Sequence, residues 1–194
     1  VRRSFFAVPA SLPPPPPGVL FLRGGSQGSQ ELNRLLPEAL AALTEPPSIR
    51  VLHQAGPEHV ESTRARYREL APDSVDPRVV GFLEDPAAAL ADCHLVVARA
   101  GAVTLAELCA AGRGSVLVPL SLAGGHQATN AGRLERAGAA RVLGESSDRT
   151  SALADLLPGL LDRKRLESMA RAARTLARED AGERIADNLE ELAA

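Results

Sequence analysis

Three stretches of the sequence place small and polar residues where an apolar run gives way to a helical pattern. The first is Gly24-Gly25-Ser26-Gln27-Gly28, which follows GVLFLR (18–23). Backbone amides at such a turn, backed by the positive end of a helix dipole, suit a phosphate. The same residues also suit a tight turn and nothing more. They do not form GxGxxG and GK[ST] is missing, so neither a dinucleotide fingerprint nor a P-loop is supported.

The second stretch is VVARAGAVTLAELCAAG (96–112). An apolar run ends in Arg99, and Gly101-Ala102-Val103-Thr104 turns into a helix that carries Glu107. Small residues let a ligand approach the backbone, and first-turn amides can bond phosphate oxygens. Glu107, one turn in, can accept from two vicinal hydroxyls. The competing reading is a capping box, with Thr104 near the N-cap and Glu107 three residues later. The third stretch, PLSLAGGHQATNAGRL (119–134), delivers His126 and Gln127 to a helix start, with Asn130 one turn on. Uncharged polar side chains suit sugar hydroxyls, although a polar first helical turn needs no ligand. Together the three stretches supply phosphate donors, a ribose acceptor and sugar-reading amides, which is what a nucleotide-sugar requires. His53 and His94 read as core or edge histidines and His59 as a solvated one. No Ser-His-Asp set, obvious carboxylate pair, zinc motif or DxD motif stands out, so no metal or cofactor is expected.

The elements that must position these residues alternate. Strands are predicted at 18–23, 48–54, 78–82, 94–98, 115–119 and 139–143, each a continuous apolar run of the kind buried on both faces. Helices are predicted at 29–43, 57–71, 85–93, 102–112 and 126–138, with a helical stretch from about 149 to 194 broken near Pro158-Gly159. This order implies an α/β fold, a Rossmann-like doubly wound parallel sheet of about six strands with C-terminal helices. Ligands of such sheets bind beyond the carboxyl ends of the strands. SLPPPPPG (11–18) reads as a linker or surface loop, giving three parts: 1–17, 18–162 and 163–194.

The 194 residues are enough for one substantial core. A net charge of -2 and 3% aromatics argue against a general polyanion binder or a stacking platform, so no nucleic-acid partner is expected. Cys93 and Cys109 form no CxxC pattern and read as reduced, partly buried thiols. No run reaches the roughly 18 apolar residues of a membrane span. The opening VRRSFFAVP, without Met, reads as the start of a piece of a longer protein.

Over nearly its whole length the chain resembles the C-terminal half of the MurG-type N-acetylglucosaminyltransferases of peptidoglycan synthesis, two-domain GT-B enzymes. The resemblance is carried by VRRSFFAVP, GGSQGSQELN, HQAG, GFLEDPAAALADCHLVVARAGAVTLAELCAAG and HQATNAGRLERAGAA, in the family's order. It implies transfer of GlcNAc from UDP-GlcNAc to a lipid-linked muramyl-pentapeptide, peripherally on the cytoplasmic face of the bacterial inner membrane. Arg2, after the position of the family's Asn-Pro-Val, would contact the donor, and Ser26 the diphosphate. Leu83 would read uracil through its backbone. Ala102, Val103, Thr104, Leu105, Ala106 and Glu107 would hold phosphates and ribose, with Glu107 on the ribose hydroxyls. Gln127, with His126 beside it, would contact the sugar. The acceptor site and the source of a general base would lie in an N-terminal half that this sequence lacks, so the fragment is expected to be soluble, to bind donor and not to transfer it. Three departures stand out: Gly124-Gly125 where an acid or amide is common, Arg113-Gly114 in place of apolar-Pro, and Ala100 in place of Ser. The first bears on sugar specificity; the other two read as packing changes. Other GT-B transferases and a non-catalytic nucleotide-sugar-binding domain are the alternatives.

Overall fold

Six strands carry the fold: β1 (Gly18–Arg23), β2 (Ile49–Gln54), β3 (Val75–Val80), β4 (Leu95–Ala98), β5 (Gly114–Leu117) and β6 (Ala140–Val142). The structure, a computed structural model, describes residues 1–14, 18–120, 125–144 and 148–193. All strands are parallel, in the order β3-β2-β1-β4-β5-β6. Their last residues form one row of register partners, Val80, Gln54, Arg23, Ala98, Leu117 and Val142. The carboxyl ends are therefore level. The strand order reverses between β1 and β4, where ligands of doubly wound sheets bind.

Residues alternate along each strand between two cores. Leu20, Leu22, Leu95, Val97 and Val116 enter one core, whereas Phe21, Val96, Ala98 and Leu117 enter the other. The first is covered by α2 (Gln30–Ala41), α3 (Val60–Leu70, entered through a 3-10 turn at Pro57–His59) and α7 (Arg149–Leu160). The second is covered by α1 (Arg3–Phe6), α4 (Pro86–Asp92), α5 (Ala102–Ala111) and α6 (His126–Arg136). α8 (Arg163–Thr175) contributes to both, and α9 (Ala181–Ala193) follows it.

Three expectations need correction. β3 starts at Val75 rather than 78 and contains Pro77, which a sequence reading takes as a breaker. Pro77 is tolerated because β3 is an edge strand, where a missing ladder donor costs little. For the same reason β3 has exposed positions at Asp76 and Arg78 rather than being buried on both faces. The C-terminal stretch breaks twice rather than once near Pro158-Gly159: α7 runs through that pair to Leu160, Asp162 then starts α8 by accepting from Arg165 N (2.9 Å), and a second break separates α8 from α9.

Residues 15–17 of the proline stretch lie outside the described residues, but the chain before them is docked rather than free. Leu12 is in the first core and Phe5 and Val8 in the second. Arg163 donates to Pro13 O (2.6 Å) and Leu12 O (3.5 Å), and Arg174 to Phe6 O (2.7 Å). His94 Nδ1 accepts from Val19 N (3.1 Å), so the ring's proton is on Nε2, which donates to Pro13 O (3.1 Å). Arg113 is more than a packing change. Fully buried, it donates to the carbonyls of Leu90, Pro9, Ala111, Gly112 and Ala91 at 2.7–3.3 Å, with no carboxylate partner among the described residues. Burial pushes the Cys93 thiol to about 12 and Cys109 to about 11, so both are inert.

Candidate functional site

At the carboxyl edge the helices differ in how they start. α2 and α4 close their own first turns: Ser29 Oγ accepts from Leu32 N (3.4 Å), and Asp85 Oδ1 from Ala87 N and Ala88 N (3.0 Å each). α5 and α6 begin at Gly101 and Gly125, and neither has a side-chain cap. The first backbone bond of α5 runs from Leu105 N to Gly101 O (3.0 Å), leaving the amides of Ala102, Val103 and Thr104 to face outward. Ala102, Val103 and Ala106 are exposed, Thr104 is half-buried, and Leu105 anchors the turn in the core. The capping box is not formed. Thr104 is the third helical residue rather than the cap, and Glu107 in the second turn bonds Arg23 instead.

At the start of α6, His126 is exposed. Gln127 Oε1 accepts from Leu120 N (3.1 Å), which orients the side-chain amide; its Nε2 donor has no partner among the described residues. Asn130, one turn on, is half-buried. Gly124 of the expected sugar loop lies outside the described residues.

The glycines after β1 are required by backbone packing. A Cβ on Gly28 (φ +81°) would lie 1.8 Å from Ala55 O, and one on Gly56 (φ +91°) would lie 2.3 Å from Gln27 O. The β1–α2 and β2–α3 loops thus interlock, each filling the space a side chain would take in the other. Gly24 N donates to Gln54 O (3.1 Å), and Gln54 Nε2 to Gly25 O (3.1 Å). What this turn leaves exposed is Gly25, Ser26 and Gln27.

A buried polar chain holds the partner loop. Ala55 O can only accept, so Asn33 Nδ2 donates to it (2.9 Å) and Asn33 Oδ1 accepts from His53 Nε2 (2.9 Å). His53 Nδ1 then accepts from the Tyr67 hydroxyl (3.0 Å). Burial lowers the His53 pKa to about 3 and raises that of Tyr67 well above its ordinary value, so both stay neutral.

Two arginines cross at the switch point. Arg23 ends β1 on the face of Phe21 and reaches Glu107 in α5, the helix that follows β4. Arg99 follows β4 on the face of Val97 and reaches back to α2, the helix that follows β1, donating to Ser29 Oγ (3.1 Å) and Glu31 Oε2 (2.7 Å). Arg149 also pairs with Glu31. Although burial opposes ionisation, the hydrogen bonds from Arg99 and Arg149 hold the Glu31 carboxyl below the usual range. Sequence reading did not single out Arg23 as the partner of Glu107. Its signal was a lone charge ending an apolar strand, in phase with Phe21.

Ser26, Ala102 to Glu107 and Gln127 therefore come from loops or helices that follow β1, β4 and β5, neighbours in the sheet. Leu83 follows the edge strand β3, but its connection leads to α4, which packs on β1 and α5. Leu83 is half-buried against the second core. Arg2 precedes α1, which packs on α5; its guanidinium lies 5.2 Å from the Phe5 ring centroid. A cavity of about 690 Å³ lies elsewhere, between α2 and α3, and is lined by Glu31, Arg34, His59 and Arg99. One of about 340 Å³ touches Ala102, Leu105, Ala106 and Asn130. Neither is lined by Ser26, Glu107 or Gln127; Ser26 is exposed, Gln127 half-buried and Glu107 buried behind the start of α5. Among the described residues no His/Cys/Asp/Glu group could hold a metal, and no helix is long and apolar enough to cross a membrane.

The family profile of the glycosyltransferase family 28 C-terminal domain matches residues 19–185. The chain is 45% identical over 175 residues to the UDP-N-acetylglucosamine--N-acetylmuramyl-(pentapeptide) pyrophosphoryl-undecaprenol N-acetylglucosamine transferase of Thiobacillus denitrificans, covering 90% of the chain and 47% of that protein. The like-named protein of Halorhodospira halophila is 49% identical over 181 residues, 91% of the chain and 49% of its own length. The chain thus spans about half the length of these curated relatives. Acinetobacter baumannii MurG superposes with a TM-score of 0.87 at 34% identity, over 96% of the chain and 55% of that structure. Spinosyn forosaminyltransferase SpnP, at 18% identity and a TM-score of 0.64 over 92% of the chain and 44% of its own, shares the fold.

Proposed function

Because the chain belongs to the glycosyltransferase family 28 C-terminal domain, we propose that it is the UDP-GlcNAc-binding half of an inverting, two-domain transferase of peptidoglycan synthesis. The whole enzyme moves GlcNAc from UDP-GlcNAc to the C4 hydroxyl of undecaprenyl-pyrophosphoryl-MurNAc-pentapeptide and releases UDP. It works peripherally at the cytoplasmic face of the inner membrane. The observation that carries this reading is the uncapped start of α5, with Glu107 behind it and Gln127 on the neighbouring helix.

The amides of Ala102, Val103 and Thr104, with the helix dipole, take diphosphate oxygens, and the exposed Ser26 hydroxyl adds a donor. The free oxygen of Glu107 accepts from the ribose hydroxyls, and the Leu83 backbone reads uracil. His126 and the Gln127 Nε2 donor meet the sugar, and Arg2 meets the donor from the domain junction. As the glycosidic bond breaks, negative charge grows on the departing UDP. Dipoles already aimed there stabilise it without reorganising, which is this half's contribution to rate. The general base and the acceptor site belong to the other half.

Calorimetric titration with UDP-GlcNAc, UDP-GalNAc and ADP-glucose tests the reading, with UDP-GlcNAc expected to bind best. Silence towards UDP at millimolar concentration would remove the donor assignment, and sugar transfer by this chain alone would remove the division of labour.

A further inference from the structure

We infer that Arg23 is a positioning residue for nucleotide binding: it fixes the Glu107 carboxylate so that one oxygen is held and the other is presented to the ribose diol. The inference rests on the reading of Glu107 as the ribose acceptor and goes beyond it.

Arg23 Nη1 donates to Glu107 Oε2, and the side chains are only 15% and 9% exposed. No other hydrogen bond to Glu107 is present among the described residues, so Oε1 is left for a ligand. Glu107 plays no part in capping α5, which removes the local reason for a carboxylate there. A mostly buried ion pair is poor evidence of a stabilising role, because desolvating both charges offsets their attraction. What such a pair does supply is geometry. A glutamate has three rotatable side-chain bonds, and an acceptor that must first be ordered loses affinity to that ordering. Arg23 is suited to do the ordering because it ends β1, the strand on one side of the switch point, so its backbone is fixed by ladders to both β2 and β4. Its planar guanidinium also sets direction as well as charge. The second arginine at this point is excluded from the role, since Arg99 is committed to Ser29 and Glu31 on the opposite face.

The test compares binding of UDP with 2′,3′-dideoxy-UDP, a ratio that reads the ribose contact and that a purely structural pair would not alter in a folded variant. Wild type is expected to prefer UDP by roughly 10- to 100-fold, the range for hydrogen bonds to a charged group. Glu107→Gln should reduce that preference. Folded Arg23→Met should reduce it to within about threefold of equality, and Arg23→Lys should fall between Met and wild type. Should Arg23→Met fail to fold, Arg23→Lys carries the test alone, with a loss of at least about threefold expected. If wild type does not discriminate, the Glu107 assignment itself is overturned. If wild type discriminates and Glu107→Gln does not, yet the folded Arg23 variants discriminate fully, the role of Arg23 is overturned while that of Glu107 stands.

Discussion

At the scale of single residues, His53 and Gly28 are constrained by different physics. Protonating His53 would place a charge in a fully buried site, and its folded pKa near 3 lies below the ordinary 6.5. As pH falls the unfolded chain takes up this proton first. The stability His53 allows is therefore complete above about pH 6.5 and declines towards pH 3, by up to about 1.4 kcal/mol per pH unit. Urea unfolding at pH 7, 6 and 5 should show His53→Gln less stable than wild type at pH 7, with the gap narrowing on acidification. For Gly28 the constraint is steric. Gly28→Ala must strain a left-handed residue, at about 1–2 kcal/mol, and also push the Ala55 carbonyl aside. Gly25→Ala, whose Cβ would meet nothing within 4 Å, incurs only the conformational part. Denaturation should thus find Gly28→Ala the more damaging of the two, with UDP affinity falling alongside. The sequence placed His53 in the core or at its edge but not its partners Asn33 and Tyr67, and it presents Gly24, Gly25 and Gly28 alike.

At the scale of elements, the sheet was legible because strands buried on both faces leave continuous apolar runs, as in LVVA (95–98) and VLFL (19–22). β3 blurred because an edge strand can carry Pro77 and expose every second residue. The start of α5 was read in the right place, but the partner of Glu107 was not. Arg23 is 84 positions away, and only the register of β1 with β4 brings the two together. Arg113 was misread for a related reason. Its partners are carbonyls at the ends of α4 and α5 and in the N-terminal segment, a pattern with no sequence signature. Arg113→Met should lower stability by several kcal/mol, since each carbonyl left dry and unpaired costs about 1–3 kcal/mol. Chemical denaturation measures the loss, and it should exceed that of Arg174→Met, whose bonds go to two carbonyls rather than five.

At the scale of the whole molecule, the segment before the sheet is part of the same packed body. Phe5, Val8 and Leu12 are in the cores, and Arg113, Arg163, Arg174 and His94 bond its carbonyls. Amide exchange should therefore find Phe5 and Val8, whose N–H groups bond Arg2 O (3.1 Å) and Phe5 O (3.4 Å), protected well beyond a free linker's level. Arg174→Ala should release that protection locally before it affects the sheet.

The interlock of Gly28 with Gly56 reaches into how such a domain can change over generations. Each position is glycine because of the other loop's backbone rather than its own surroundings, so neither can drift alone without the opposing turn being rebuilt in the same step. A recombination joint between residues 28 and 56 would join two loop geometries that had never been selected as a pair. Viable chimeras of related domains are accordingly expected to inherit residues 24–56 from a single parent.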